Sequence, residues 1–174
     1  MSKPPAAPYP PDLADDEPPV AAELGDLVDA VATDADWANA RAQRWSALRV
    51  ELRRCRLTGI ELAEATISDV TFDDCRIDLA GIRHARLERV VFRDCRMGEC
   101  DLYGSALKDV LFERCELREA TFSTCMLERV EFRGCDLAGV RGPEALRGAR
   151  MPSPDVVENA ALFATALGIE ILHE

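Results

Sequence analysis

The sequence repeats an eight-residue motif at intervals of twenty residues: VTFDDCRI at 70–77, VVFRDCRM at 90–97, VLFERCEL at 110–117 and VEFRGCDL at 130–137. A fifth copy, VELRRCRL at 50–57, carries leucine where the others carry phenylalanine. A finer rule holds throughout, because a small or β-branched residue recurs every five positions and a large apolar residue follows it two places later. This rule runs through eighteen consecutive blocks from Val50 to Leu137, and Ile60 is the one bulky residue at a small position.

A five-residue period excludes an α-helix, which would scatter the apolar positions around its circumference at about 100° per residue. A short extended segment instead places residues i and i+2 on one face, so each block predicts one short side of a coil. Twenty residues contain four blocks, and the sequence therefore predicts a four-sided parallel β-helix over residues 50–142. A leucine-rich repeat also permits a period near twenty, but it has one strand per repeat, not four equivalent sides.

Residue n should lie over residue n+20, because neighbouring coils of such a solenoid hydrogen-bond at about 4.8 Å. Two interior columns are predicted in this way, one aromatic and one of thiols: Phe72, Phe92, Phe112 and Phe132, and Cys75, Cys95, Cys115 and Cys135. Thiols stacked at this distance lie outside good disulfide geometry, and a straight column cannot surround zinc tetrahedrally. We therefore interpret these cysteines as small buried hydrophobic residues, and we predict no metal or cofactor.

The blocks resemble the pentapeptide-repeat family, whose pattern is Ala-(Asp/Asn)-Leu-x-x. Cys100-Asp101-Leu102 and Cys135-Asp136-Leu137 match this pattern closely, although no other block has Asp or Asn at the second position. The resemblance implies an all-β solenoid of the right-handed quadrilateral β-helix type. It also implies a non-catalytic protein-interaction scaffold or, as in the quinolone-resistance members, a DNA mimic that binds DNA gyrase or topoisomerase. A small enzyme or biosynthetic accessory is the alternative from another class.

Three further segments flank the repeats. Residues 1–19 hold seven of the ten prolines together with acidic side chains, a composition typical of a disordered arm. Residues 20–49 are predicted to form an N-terminal capping helix and an irregular first coil, because apolar residues recur at helical spacing at Val20, Leu24, Leu27, Val28 and Val31. Residues 143–174 are predicted to form a C-terminal capping helix, with Ser153 as N-cap and Gly168 at its end, and a strand over 169–172. This segment is also a candidate for joining two rods in a homodimer.

Charge narrows the class of partner. The chain has 21 basic and 32 acidic residues, a net charge of −11, which disfavours direct binding to nucleic acid or an anionic membrane and favours a protein partner. Residues 50–142 are nearly balanced, with 15 basic and 18 acidic residues. Three arginines stacked on one side, Arg56, Arg76 and Arg96, weaken the DNA-mimic hypothesis. Another outward column alternates in sign and is predicted to brace the rod: Arg53, Asp73, Arg93, Glu113 and Arg133.

The remaining features suggest a location and a surface. The N-terminus lacks an apolar stretch and no apolar run approaches about 20 residues, so a cytoplasmic protein is predicted. Neither His84 nor His173 belongs to a recognisable metal or nucleophile motif, and no catalytic residue is predicted. The outward apolar residues are candidates for a contact surface: Val91, Leu111, Tyr103 and Met126. The alternatives are that they are ordinary surface residues or that the N-terminal arm covers them.

Overall fold

The computed structural model describes residues 3–12 and 25–172, and its main body is a parallel β-solenoid. A seven-stranded sheet runs along it in the order β1-β2-β3-β4-β5-β6, and β7 also pairs with β5. The strands are Leu27–Thr33 (β1), Ser46–Arg53 (β2), Thr66–Asp73 (β3), Arg86–Arg93 (β4), Ala106–Glu113 (β5), Met126–Glu128 (β6) and Glu131–Arg133 (β7). The predicted β-helical fold class is confirmed.

Each of strands β1 to β5 pairs with the residues that stand twenty positions later in the chain. Val50 lies beside Val70, and Phe72 lies beside Phe92. The other sides of the coil pair through single bridges with the same offset, for example Arg56 with Arg76. Because each coil satisfies the backbone groups of its neighbours, unpaired backbone edges are confined to the two ends of the solenoid.

The chain turns at every fifth residue through a left-handed backbone conformation. At one corner, φ is 52° for Asp74, 52° for Asp94 and 52° for Arg114. This conformation costs a residue other than glycine about 1–2 kcal/mol. Glycine removes that cost at four of these positions: Gly59, Gly104, Gly134 and Gly139. The five-residue period of the sequence predicts one corner in each block, although most corner positions carry charged residues.

Three aspartates brace the turns by accepting the backbone N–H two residues later. Asp101 accepts from Tyr103 at 2.9 Å and Asp136 accepts from Ala138 at 3.0 Å. Asp36 makes the same bond in the first coil, to the N–H of Ala38 at 3.0 Å. Asp101 and Asp136 are the two residues that match the family pattern.

Large side chains fill the interior in columns. The rings of Phe72, Phe92, Phe112 and Phe132 stack with centroids 4.7, 5.0 and 4.9 Å apart and planes within 10° of parallel. Phe122 packs edge-on against this stack, with its ring centroid 5.8 Å from that of Phe132. Each such ring pair stabilises the fold by about 0.5–1.5 kcal/mol beyond the effect of the surface area that it buries. The thiols of the second column also have partners, since each donates to the carbonyl 23 residues earlier: Cys75, Cys95, Cys115 and Cys135.

The prediction of an N-terminal helix is wrong for residues 27–31, which form strand β1, while residues 20–24 lie outside the described residues. Leu27, Ala30 and Ala32 face the interior and stand in register with the large, small and large positions of β2. Hydrogen bonds to β2 and burial of this face outweigh the helical spacing. The first coil is therefore regular, and pairs with the second through bridges such as Asp36 with Arg56.

Two tryptophans close the interior at the N-terminal end. Trp37 and Trp45 are both buried, and Trp45 Nε1 donates to the carbonyl oxygen of Gly25 at 2.7 Å. Trp45 stands in the column that holds Ala65 and Ala85 in the next two coils. A large ring at a small position fits there because the interior ends at this coil.

The C-terminal segment differs in detail from the prediction. After a 3-10 turn at Pro143–Leu146 there are two short helices, α1 at Ser153–Glu158 and α2 at Ala160–Ala166. Pro152 is the N-cap of α1 and Ser153 is its first helical residue, one position away from the prediction, and Asn159 interrupts the helix. Residues 169–172 form no strand, because they lie beyond the last coil and pair with no neighbouring strand within the described chain.

Candidate functional site

One corner of the rod carries aspartate and arginine in strict alternation, and we call it the corner ladder: Asp29, Arg49, Asp69, Arg89, Asp109 and Arg129. Each arginine binds the aspartate one coil earlier through two parallel hydrogen bonds. Arg89 Nε lies 2.6 Å from Asp69 Oδ1 and its Nη2 lies 2.9 Å from Oδ2. Arg129 binds Asp109 with both distances at 2.7 Å, and Arg49 binds Asp29 with both at 2.5 Å. This fork geometry orients each carboxylate.

The arginines keep the ladder carboxylates ionised. Hydrogen bonds from Arg49 lower the pKa of Asp29 to about 2, and those from Arg129 lower the pKa of Asp109 to about 2. For Asp69, burial raises the pKa while the Arg89 hydrogen bonds lower it, and the net shift is downward. All three groups are therefore anionic acceptors at neutral pH, although Asp69 and Asp109 are only 4% and 5% exposed.

The N-terminal arm lies along this ladder. Three of its backbone N–H groups donate to three ladder carboxylates: Ala6 to Asp109 (3.0 Å), Tyr9 to Asp69 (3.0 Å) and Asp12 to Asp29 (2.9 Å). The guanidinium of Arg89 also lies 5.8 Å from the ring centroid of Tyr9, within range of a cation–π contact. Residues 3–12 therefore have a defined place, although they belong to the arm predicted to be disordered, and the rest of that arm lies outside the described residues.

Neither the corner ladder nor the arm contacts were predicted from the sequence. The alternation of Asp and Arg every twenty residues was a signal that could have revealed the ladder. The column that was predicted to alternate forms one vertical pair, Arg93 with Glu113 at 2.9 Å. Its other arginines turn along their own coil, where Arg53 pairs with Glu51 and Arg133 with Glu131.

The four outward apolar residues do not form one patch. Val91 and Leu111 are vertical neighbours, but Val91 is buried at 9% exposure and Leu111 is half-buried. Tyr103 and Met126 are exposed, and each stands on a different side, separated by left-handed corners. Tyr103 packs edge-on against His84, with ring centroids 5.5 Å apart, and the second histidine, His173, lies outside the described residues. The arm passes the level of Val91 between its bonds to Asp69 and Asp109, which favours cover by the arm as the reason for the burial of Val91.

A column of like charge occupies another side of the rod. Arg56, Arg76 and Arg96 pair coil by coil through their backbones. Arg56 is bound to Asp36 at 3.2 Å, whereas Arg76 and Arg96 form no ion pair with any described residue. Stacked like charges repel each other, so an acidic group from another molecule would relieve an unfavourable arrangement here.

The C-terminal end is sealed less completely than the N-terminal end. Leu162 and Phe163 of α2 pack against the core, and an open groove of about 500 Å³ remains between the last coil and the helices. Apolar side chains of the C-terminal segment stay in solvent, with Val157 76%, Leu167 73% and Leu172 81% exposed. This end therefore presents an apolar surface without cover from any described residue.

The thiols lie in the hydrophobic core. All seven cysteines are buried and unpaired by disulfides. Burial raises the pKa of Cys100 to about 12 and that of Cys125 to about 11, so both remain protonated at neutral pH. Among residues 3–12 and 25–172, no three His, Cys, Asp or Glu side chains are grouped to hold a metal ion. The described helices are all too short or too polar to cross a membrane.

Two family models match this chain, one described as a pentapeptide repeat region over residues 45–122 and one as pentapeptide repeats over residues 105–141. Several solved structures are similar. HetL, a pentapeptide repeat protein involved in heterocyst differentiation regulation from the cyanobacterium Nostoc sp. strain PCC 7120, is 15% identical, with a TM-score of 0.35 over 75% of this chain and 74% of that chain. Full-length QnrB1, a plasmid-mediated fluoroquinolone resistance protein, is 17% identical, with a TM-score of 0.33 over 82% of this chain and 90% of that chain. Rfr23 from the cyanobacterium Cyanothece 51142 is 13% identical, with a TM-score of 0.27 over 71% of this chain and 88% of that chain. No curated protein matches the chain.

Proposed function

Since this chain belongs to the pentapeptide-repeat family, we propose that it is a non-catalytic scaffold that binds a protein partner on the sides of its β-helix. The observation that carries the proposal is the corner ladder, which holds an extended polypeptide, the arm, through backbone hydrogen bonds. A rigid rod suits such a role because its outward side chains are fixed by the stacked coils and lose little freedom on binding.

The unpaired arginines support the same proposal. Arg76 and Arg96 repel each other in the free protein, and an acidic surface of a partner would relieve that repulsion. The burial of all seven thiols and the packing of His84 against Tyr103 support a role without catalysis, since these side chains are used in the structure of the rod.

The test is a quantitative affinity capture from extract of the native host with two matched baits. One bait carries Arg56→Gln, Arg76→Gln and Arg96→Gln, and the other carries the wild-type sequence. We expect one protein in near-stoichiometric amounts on the wild-type bait and a loss of about tenfold on the variant, followed by direct binding of the purified partner. Denatured wild-type protein on the same resin is the background control. If neither bait enriches a protein over this control, the scaffold proposal fails.

A second candidate is a DNA mimic that binds gyrase or topoisomerase. It is supported by the net charge of −11 and by the unbroken coil over residues 27–141. The ion-paired columns and the arginine column weigh against it, since they interrupt any continuous anionic stripe. A supercoiling assay with purified gyrase, with and without a quinolone, should show inhibition or protection at micromolar protein. The triple Arg→Gln variant makes the rod more negative by three charges and should strengthen that effect, and no effect of either protein rejects the mimic.

We also propose a homodimer through the C-terminal end. The exposed side chains of Val157, Leu167 and Leu172 would be covered by a second copy around a two-fold axis. Light scattering after size exclusion should then give twice the chain mass of 19.2 kDa. Leu167→Glu should convert the dimer to a monomer, whereas Val28→Glu, at an exposed apolar residue of the other end, should leave it intact. A monomer at all concentrations would contradict this interface.

A further inference from the structure

The arm forms a hydrogen bond to the corner ladder at every third residue. Its donors are Ala6, Tyr9 and Asp12, and the residue before each donor is a half-buried proline, Pro5, Pro8 and Pro11. The other described arm residues are exposed. Residues 5–12 therefore repeat a unit of three residues, in which a proline is followed by a donor residue and then by a spacer residue that makes no hydrogen bond to the ladder; within this range the third unit consists of its proline and its donor. A chain with this pattern turns one face to the rod at every third residue.

The aspartates of the ladder that bind the arm are spaced two coils apart. Successive arm donors bind aspartates forty residues apart, which corresponds to about 9.6 Å along the rod for coils spaced at about 4.8 Å. A polyproline II helix has three residues per turn and advances about 9.3 Å in that turn. The arm is rich in proline, which fixes φ near −65° and favours this helix. Ladder and polyproline II helix thus agree in period to within about 0.3 Å per turn.

The ladder is built without the arm. Each carboxylate is oriented by an arginine of the rod, and both residues stand at corners fixed by the stacked coils. The arm adds only backbone N–H groups, proline rings and the contact of the Tyr9 ring with Arg89. Because the hydrogen bonds use the backbone, the site selects a conformation and a spacing of prolines, not one particular sequence.

We propose that the corner ladder is a receptor for proline-rich segments in the polyproline II conformation, with a proline followed by a non-proline residue at every third position. The chain's own arm is its intramolecular occupant, and a partner with the same pattern displaces that arm. This inference rests on the proposed scaffold function and specifies one side of the rod and the chemistry of its ligand.

The test uses the full chain with an arm that cannot compete. Ala6→Pro, Tyr9→Pro and Asp12→Pro together remove the three donors while they preserve a polyproline II arm, and leave the ladder free. A fluorescent synthetic peptide of residues 3–12 should bind this variant, as measured by fluorescence polarisation, and should bind the wild-type chain about tenfold more weakly because the wild-type arm competes.

Two matched controls make the result specific. In the receptor, Asp69→Ala with Asp109→Ala should weaken peptide binding about tenfold or more. Asp34→Ala with Asp94→Ala removes two similar arginine-bound aspartates from the neighbouring corner and should have no effect, because these two aspartates make no hydrogen bond to residues 3–12. In the peptide, Ala6→Pro should weaken binding, whereas Ala7→Pro, at a spacer residue, should not.

The proposal is overturned if the peptide does not bind the arm variant, or if the two aspartate pairs have equal effects. It is also overturned if the peptide with all three donors replaced by proline binds as well as the original. Circular dichroism of each variant identifies any loss of folding. If the peptide does not bind while affinity capture still returns a partner, this inference fails alone and the scaffold function stands.

Discussion

The phenylalanine column and the corner ladder follow the same twenty-residue rule, but they select side chains in opposite ways. Inside the rod, four identical rings stack with nearly parallel planes. At the corner, aspartate alternates with arginine and each pair shares two hydrogen bonds. The difference follows from the interaction between side chains stacked at about 4.8 Å. Apolar side chains pack best against side chains of the same shape, whereas a charged side chain is attracted to one of the opposite sign. In this rod, like side chains stack in the phenylalanine column and opposite charges alternate at the corner ladder.

The largest effect is expected from breaking the like-with-like rule in the middle of the aromatic column. Phe92 is stacked on both faces, whereas Phe72 has a ring on one face. Phe92→Ala should reduce the free energy of unfolding by about 3–5 kcal/mol, measured by urea denaturation. Phe72→Ala is the control and should cost about 1 kcal/mol less, because it removes one ring contact instead of two. Equal losses at the two positions would show that the stack adds nothing beyond buried area.

The next effect comes from breaking the alternation at the corner. Arg89→Asp places three carboxylates in succession and leaves the nearly buried Asp69 without its arginine. We expect the free energy of unfolding, measured by urea denaturation, to fall by about 1–3 kcal/mol. Exchanging the pair, with Asp69→Arg added to Arg89→Asp, should not restore stability, since the introduced guanidinium would then lie beside Arg49 of the coil before. A full recovery in that double variant would mean that alternation along the whole ladder is unimportant.

Lowering the pH should remove the contribution of the corner ladder to the free energy of unfolding before it affects the packing of the interior. The pKa of Asp109 is lowered to about 2 by Arg129, against about 3.9 in an unfolded chain. A lowered pKa contributes stability that is present above about pH 4 and is lost as the pH falls through about 2. The stability difference between wild type and Asp109→Asn should therefore be constant from pH 7 to 5 and disappear near pH 2. A difference that is still present at pH 2 would assign the effect to packing instead of charge.

The contrast between columns also explains how far the sequence could predict the structure. The interior could be predicted from the sequence because a small or β-branched residue such as Val70 and a large apolar residue such as Phe72 recur at the same positions in each coil of the repeat region. Strand β1 was missed because Ala30 and Ala32 are too small to reveal their positions, while Leu24, Leu27, Val28 and Val31 imitate a helix. The arm was missed because its composition is typical of disorder, and the two-coil period that matches it appears only when the coils are stacked.

The smallest effect is expected from a substitution that respects the interior rule. Ser105 already replaces a small apolar residue inside the rod, where its hydroxyl donates to the carbonyl of Ile82 at 2.8 Å and accepts the N–H of Ala85 at 3.0 Å. The thiol of Cys95 points in the same manner to the carbonyl of Phe72 at 3.5 Å. A hydroxyl at residue 95 has an acceptor at hand, so Cys95→Ser should change the free energy of unfolding by less than about 1 kcal/mol. Ser105→Ala is the matched control and should cost more, because it leaves the buried N–H of Ala85 without a partner. If Cys95→Ser proves the costlier of the two, the small column depends on apolar character and not on the carbonyl that each side chain faces.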